Sequence, residues 1–392
     1  MKRVSISKIV EKPVSGEWGN EAESESDGIP VIRNTNFSDD GRIDLHDVAF
    51  REIPDRKIEK KRLKPGDIII EKSGGSKNQP VGRVVYFDID DGENYLFSNF
   101  TSAIRPKKEV EPKYVHYGLL HSYIRGGSEL FQNKTTGIRN LQLKRYLDKV
   151  KIPLPSLTEQ KAIVEKLDRA QRLIDIDREM LAKYDELIQS VFLEMFGDPV
   201  TNPKGWDKVK LKELTKINSG STPSRKKPEY FGGKIPWVKT TEVSGRYIYE
   251  SEETITELGL KESSCKLYPK DTILVAMYGQ GKTRGNVGML KLEATTNQAC
   301  AAIYPSEKFK PDFLFNYLKL QYDELREMGR GGNQPNLNVG MVKDYEIILP
   351  PIEMQDKFLN ISESIMKERA ENKLILKKSE ELFSSLVQGA FG

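Results

Sequence analysis

Histidine and cysteine are scarce in this chain: His46, His116 and His121 are its histidines and Cys265 and Cys300 its cysteines, in 392 residues. The two thiols lack metal-ligand spacing, so neither a zinc module nor a disulfide framework is expected, and a reducing cytoplasm fits best. No apolar run approaches the length of a membrane span, roughly 18 residues or more. The start, Met1-Lys2-Arg3-Val4-Ser5-Ile6, also lacks the apolar stretch of a signal peptide. No serine stands in a G-x-S-x-G setting. Gly281-Lys282-Thr283 follows an apolar run, but a phosphate-binding G-x-x-x-x-G-K-[ST] loop needs glycine at position 276, where Ala276 stands. His116 and His121 fall in an aromatic, helical stretch with Tyr114, Tyr117 and Tyr123, where packing or surface placement accounts for them better than ligation. No catalytic residue and no metal site is therefore expected.

What is present is a repetition. Ile152-Pro153-Leu154-Pro155 and Ile347-Ile348-Leu349-Pro350 each lead into a long helical pattern, Gln160 is matched by Gln355, and the patterns end as Phe196-Gly197 and Phe391-Gly392. The offset is 195 at both ends, so a 42-residue element recurs without insertion or deletion. A rigid rod demands such constancy; a loop does not. The preceding material repeats more loosely. Ile29-Pro30-Val31-Ile32 resembles Ile235-Pro236-Trp237-Val238, and Leu63-Lys64-Pro65-Gly66-Asp67-Ile68-Ile69 resembles Leu267-Tyr268-Pro269-Lys270-Asp271-Thr272-Ile273. Two copies of globule plus rod are too few and too long for a solenoid and imply a pseudo-symmetric pair.

In the rods Leu167, Ile174, Leu181, Ile188 and Met195 recur every seven residues, with Ile163, Ala170, Asp177, Tyr184 and Val191 between them. These are the seam positions of a heptad pattern. Phe358, Ile365, Leu376, Phe383 and Leu386 fit the same frame in the second rod, where Arg369, Asn372 and Ser379 also take seam positions. About 38 helical residues span roughly 57 Å. An amphipathic helix of that length must bury its stripe, and the other rod is the natural partner. The expected fold is α/β: two pseudo-symmetric mixed α/β globular domains separated by two long helices forming an antiparallel coiled coil. The expected boundaries are 1–155, 156–197, 198–350 and 351–392.

Net charge is +4, made of +4 for residues 1–155, −3 for 156–197, +4 for 198–350 and −1 for 351–392. A polyanion would meet the globules rather than the rods. Strand-like runs lie at 67–71, 82–87, 272–276 and 286–291, and helical patterns at 113–123 and 312–328. Polar, glycine-rich loops occupy equivalent places in the two copies, at 72–79 and 278–285 and again at 132–141 and 330–338. Their chemistry is amide plus cation with little acid. Asn and Gln grip an adenine edge in two places, Arg a guanine edge, Lys meets phosphate, and Gly admits backbone N–H groups to phosphate. The candidate DNA contacts are Lys77, Asn78, Gln79, Lys134, Thr136 and Arg139 in the first copy. In the second they are Gln280, Lys282, Thr283, Arg284, Asn333, Gln334 and Asn336. Gly, Asn and Ser are equally ordinary turn and capping residues, so a single loop leaves both readings open; recurrence in both copies favours the first. The basic runs Arg56-Lys57, Lys60-Lys61-Arg62 and Arg225-Lys226-Lys227 are solvated faces or phosphate contacts.

The words Ile152-Pro153-Leu154-Pro155-Ser156-Leu157-Thr158-Glu159-Gln160-Lys161-Ala162-Ile163, Phe196-Gly197-Asp198-Pro199, Asn202-Pro203-Lys204-Gly205-Trp206 and Ile348-Leu349-Pro350-Pro351-Ile352-Glu353-Met354-Gln355 resemble those of the specificity subunit of type I restriction-modification enzymes, over essentially the whole chain. Residues 206–214 and 275–288 look like the entry and central loop of a target recognition domain; the first copy departs, with no Trp before Val4. The resemblance implies two target recognition domains that read the unlike halves of an interrupted double-stranded DNA target, with the paired helices as a ruler. It implies two methylation subunits, docked on exposed rod faces near Gln160 and Gln355, and two restriction subunits. S-adenosylmethionine, ATP and Mg would sit on those partners, with no cofactor in this chain and no membrane involved. The adenine-methylase words Asn-Pro-Pro-aromatic and Phe-x-Gly-x-Gly are absent, as a non-catalytic subunit requires. A coiled-coil scaffold joining two proteins without DNA specificity is the alternative.

Overall fold

The computed structural model describes residues 2–76, 79–135, 138–279, 281–329 and 336–392. It divides the chain into two compact units, Met1–Asp177 with Leu374–Gly392, and Arg178–Lys373. Each unit thus takes one globular segment and part of each long helix, a grouping that cuts across the four segments expected from sequence.

The first unit is built around Ile68–Glu71, whose unbroken apolar start suits a strand covered on both faces. It lies third in a sheet ordered Val14–Ser15, Thr101–Ile104, Ile68–Glu71, Val84–Tyr86, with every neighbour antiparallel. Strand alternation sends Ile68 and Ile70 into a core shared with the helix Pro112–Ile124, and Ile69 into another with Ile32, Phe87 and Phe97. A second sheet, ordered Asn20–Glu21, Ala49–Glu52, Ile29–Ile32, Leu96–Phe97, closes that other face, its last pair parallel. Arg3–Ser5 pairs with Lys151–Pro153, just before the first long helix.

The second unit repeats this plan. Ile273–Ala276 lies third in a sheet ordered Ile217–Ser219, Cys300–Ile303, Ile273–Ala276, Val287–Leu290, Tyr247–Ile248. Ile273 and Val275 enter one core and Leu274 and Ala276 another. Phe231–Val238 runs parallel to Thr295–Thr296, as Ile29–Ile32 does to Leu96–Phe97. Lys208–Lys210 pairs with Glu346–Ile348 before the second long helix. The helical pattern at 312–328 is two helices, Pro311–Leu320 and Tyr322–Met328, interrupted at Gln321.

The long helices run Leu157–Phe196 and Ile352–Phe391, 40 residues each. The heptad positions face inward: Leu167, Ala170, Ile174, Asp177 and Ile188 are buried, and Ile163, Leu181, Tyr184, Val191 and Met195 partly so. Val164, Phe192 and Phe196 are buried besides, because the helix ends also pack on their own unit's core. In the first unit Val164, Leu167, Val387 and Phe391 share one core, and Ser379 Oγ donates to Asp177 at 2.8 Å. In the second, Phe192 and Phe196 lie 5.4 and 5.7 Å from Phe358, and Arg369 pairs with Asp185 at 3.3 Å. Rising numbers on one helix therefore meet falling numbers on the other in each unit. Asp177, Arg369 and Ser379 make these contacts between the helices, and Asn372 is buried. Among the described residues no helix is long and apolar enough to cross a membrane.

Candidate functional site

In the first unit the two polar loops are one structure. Ser73–Gly75 pairs with Ile138–Leu141, which pairs with Gln132–Thr135, giving a three-stranded sheet separate from the main one. Gly, Ser and Asn are poor strand formers, so the composition of both segments is that of loops; here the pairing is imposed by tertiary context. Leu141 N–H donates to Lys72 O at 2.8 Å and Ser73 Oγ to Asn140 Oδ1 at 2.7 Å, locking one loop to the other. Arg139 stands opposite Gly75 on one side and Lys134 on the other, and its Nη1 reaches Gln132 Oε1 at 3.5 Å. Gln79 is exposed. Lys77, Asn78 and Thr136 lie outside the described residues.

Beneath this sheet, Glu71 accepts from Arg83 Nε at 3.1 Å and from Asn34 Nδ2 at 3.0 Å. Gly74, at φ +109°, lies against that asparagine, and a Cβ there would come within 3.0 Å of its Nδ2. Lys72 donates from Nζ to Ser15 Oγ; burial, then the Lys61 charge, push its ammonium below the usual lysine range.

The second unit joins its loops in the same way: Leu337 N–H donates to Met277 O at 3.0 Å, the counterpart of the Leu141–Lys72 bond. Lys282 is exposed and Thr283 and Asn336 partly so. Arg284 is 8% exposed, and among the described residues its Nε has no hydrogen-bond partner. Gln280, Asn333 and Gln334 lie outside the described residues. Asn338, not Asn336, is the capping residue here: its Oδ1 accepts the Met341 N–H at 3.0 Å and opens the helix Val339–Asp344. Gly281-Lys282-Thr283 leads into the strand Val287–Leu290, not into a helix, so the helix N-terminus that a P-loop offers to phosphate is missing.

The basic runs are partly neutralised. Lys57 and Lys61 hold Glu17 below the usual carboxylate range, chiefly through the Lys61 hydrogen bond. Arg225 pairs with Glu253 at 2.7 Å and lies over the Phe231 and Trp237 rings.

Gln160 and Gln355 require a correction. Expected beside a docking face, they are 2% and 0% exposed and used at both ends of the amide. Gln160 Oε1 accepts the Glu111 N–H at 3.0 Å while its Nε2 donates to Pro155 O at 2.9 Å. Gln355 does the same with the Lys310 N–H and Pro350 O, both at 2.8 Å. Glu111 and Lys310 are the residues that precede Pro112 and Pro311 at the starts of two helices, and neither caps its helix with its own side chain. The glutamines tie each long helix to the helix it packs on; they are unavailable to a partner.

Three further residues touching the loops escaped sequence reading. Tyr123 hydroxyl donates to Pro80 O at 3.1 Å, Tyr322 hydroxyl to Lys282 O at 2.8 Å, and Arg326 Nη1 to Gly281 O at 2.8 Å. The recurrence of tyrosine 11 residues after Pro112 and Pro311 was the available signal. Among the described residues no group of three or more His, Cys, Asp or Glu is arranged to hold a metal ion.

Comparison with known proteins bears on what this frame belongs to. The type I restriction modification DNA specificity domain pattern matches residues 1–183 and 203–377. The MjaIX specificity subunit of Methanocaldococcus jannaschii is 33% identical over 192 residues, 47% of this chain and 44% of that protein. The HindI specificity subunit of Haemophilus influenzae is 28% identical over 195 residues, 48% of this chain and 42% of that protein. The chain thus spans less than half the length of either relative. The EcoKI specificity subunit of Escherichia coli is 23% identical over 372 residues, 86% of this chain and 75% of that protein. In fold, the chain is similar to one from a structure on assembly and conformational transition of the type I R-M system, with TM-score 0.61, 16% identity, and coverage of 100% of this chain and 97% of that one. It is also similar to the S subunit of a type I system from M. genitalium, with TM-score 0.53, 17% identity, and coverage of 100% and 96%. Matched in pattern along both of its copies, the chain belongs to the type I restriction modification DNA specificity domain family.

Proposed function

We propose that this chain is the non-catalytic specificity subunit of a type I restriction-modification enzyme and that it reads an asymmetric, bipartite double-stranded DNA target. The observation that carries this reading is a frame built twice with unlike loops. The Leu141–Lys72 and Leu337–Met277 bonds stand in equivalent places, while the loops they join differ in nearly every side chain. Equal supports with unequal reading groups suit two different DNA words. Lys77, Asn78, Gln79, Lys134, Thr136 and Arg139 serve one word, and Gln280, Lys282, Thr283, Arg284, Asn333, Gln334 and Asn336 the other.

The two long helices act as an antiparallel coiled coil that sets the gap between the words. Methylation subunits dock on the outward faces of these helices. In support, the first unit exposes Leu173, Ile176, Leu374, Ile375 and Leu382, and the second exposes Met180, Leu187, Leu193 and Ile361. Methylation and restriction subunits, two of each, carry S-adenosylmethionine, ATP and Mg and the chemistry. The test is a selection from a random duplex library with the full chain in complex with methylation subunits. One gapped motif of two unlike words is expected, with affinity falling steeply as salt rises. A complex that forms yet selects no motif would favour a protein-joining scaffold instead.

A further inference from the structure

We infer that Tyr123 and Tyr322, the latter with Arg326, are the positioning residues of the two reading loops, and that each governs one DNA word. The inference rests on the reading that those loops contact DNA and adds which groups outside them set their shape.

Each tyrosine stands 11 residues after a helix-opening proline, Pro112 or Pro311; Tyr123 lies within the helix Pro112–Ile124, and Tyr322 opens the helix Tyr322–Met328 just past Gln321. From there each hydroxyl donates to a backbone carbonyl within or just beyond the reading loop: Tyr123 to Pro80 O at 3.1 Å, Tyr322 to Lys282 O at 2.8 Å. In both units the loop returns to its strand through a glycine with positive φ packed close to that tyrosine. Gly82, at φ +109°, would bring a Cβ within 2.8 Å of Ser128 and 3.7 Å of the Tyr123 ring. Gly285, at φ +85°, would bring one within 2.8 Å of the Arg326 side chain and 3.2 Å of Tyr322 O. Close approach of helix and loop is thus built in twice, by unlike neighbours.

The second unit adds a cation. Arg326 Nη1 lies 2.8 Å from Gly281 O, 3.2 Å from Arg284 O and 2.7 Å from Tyr322 Oη. The guanidinium spans the two carbonyls that flank Lys282 and Thr283, so their side chains project from a stretch of backbone fixed at both ends. A charged donor to a carbonyl is stronger than a neutral one. Among the described residues of the first unit no arginine donates to a loop carbonyl in this way; there the loop is braced from below by Glu71, Arg83 and Asn34.

The test uses the full chain in complex with methylation subunits and two readouts. Selection from a random duplex library should show that Tyr123→Phe degrades one word, and that Tyr322→Phe and Arg326→Ala degrade the other. Preference at the affected word should fall about fivefold per lost bond, with the remaining word and the gap unchanged. Arg326→Lys, which keeps the cation without the fork, should recover part of the loss. Hydrogen exchange on the free chain is the second readout. The Gly285 and Asn286 amides, bonded at 2.9 and 3.1 Å to Ala276 O and Thr283 O, should exchange faster in Arg326→Ala, while amides of 72–76 stay unchanged. Equal weakening of both words would overturn the inference, because a merely structural role acts on the whole molecule. Unchanged exchange with unchanged words would also overturn it, and Lys282→Ala would then show whether the loop still reads DNA. Faster exchange with both words intact would overturn it together with the assignment of these loops to DNA.

Discussion

Replacing Gln355 by Leu removes both ends of a clamp at once. The side chain is fully buried; its Oε1 holds the Lys310 N–H and its Nε2 holds Pro350 O, each at 2.8 Å. Leucine fills the space and leaves both backbone groups without a partner. A buried unpaired group costs about 1–3 kcal/mol, and the Lys310 amide is partly open to water, so the sum is about 3 kcal/mol. For a unit the size of Arg178–Lys373 that is roughly 6–12 °C of melting temperature, since 1 kcal/mol moves such a domain about 2–4 °C. Calorimetry reads the shift, and hydrogen exchange at the Lys310 amide and the first turn of Pro311–Leu320 localises it. Gln355→Glu sharpens the argument. One carboxylate oxygen can accept the Lys310 N–H, but the other faces Pro350 O, so the buried acid favours its protonated form. A folded-state pKa raised above the unfolded one means that Gln355→Glu gains stability relative to wild type as pH falls towards 4 and loses it as pH rises. A Gln355→Leu protein melting within 1 °C of wild type, or a Gln355→Glu protein without that slope, would refute the clamp. Gln160 should behave likewise in the first unit.

The first unit should be acid-sensitive through His116, which burial, with the Lys113 charge, pushes down from 6.5 to about 4. The unfolded chain takes up a proton below about pH 6.5 that the folded one refuses. Stability therefore falls by about 3 kcal/mol between pH 6.5 and 4, and His116→Phe, the residue type found at Phe315 in the second copy, should flatten that part of a urea-midpoint profile. Glu71→Ala should cost about 3–5 kcal/mol in the same assay, because it strands the buried Arg83 guanidinium; adding Arg83→Met should recover much of the loss.

The long helices were legible in sequence because a seven-residue apolar period is a local record of a distant partner. Leu167, Ile174, Ile188, Phe358 and Ile365 are all buried, and so are the polar interruptions Asp177 and Asn372. The strands around Ile69 and Leu274 were legible for a similar reason, as short apolar runs between turn residues. The role of Gln160 and Gln355 was not. Their constant spacing marked them as important, but a buried clamp and an exposed docking residue leave the same trace in one sequence. Nor was the three-stranded sheet at Ser73–Gly75, because its strands are held by Leu141 and Asn140 from far along the chain rather than by their own propensity. Tyr123 and Tyr322 left only their recurrence 11 residues after Pro112 and Pro311; their role was not legible, because a hydroxyl aimed at a backbone carbonyl imposes no pattern on the residues around it. The division into compact units cuts through the helices because burial follows each unit's core and not the ends of elements.

The central claim is that one continuous pair of helices sets the gap between two DNA words. Inserting one heptad at matched seam positions of both long helices lengthens each by about 10.5 Å, close to three base pairs at 3.4 Å per step. Library selection with that variant should return the same two words separated by a gap about three base pairs longer. The same words with an unchanged gap would contradict the account.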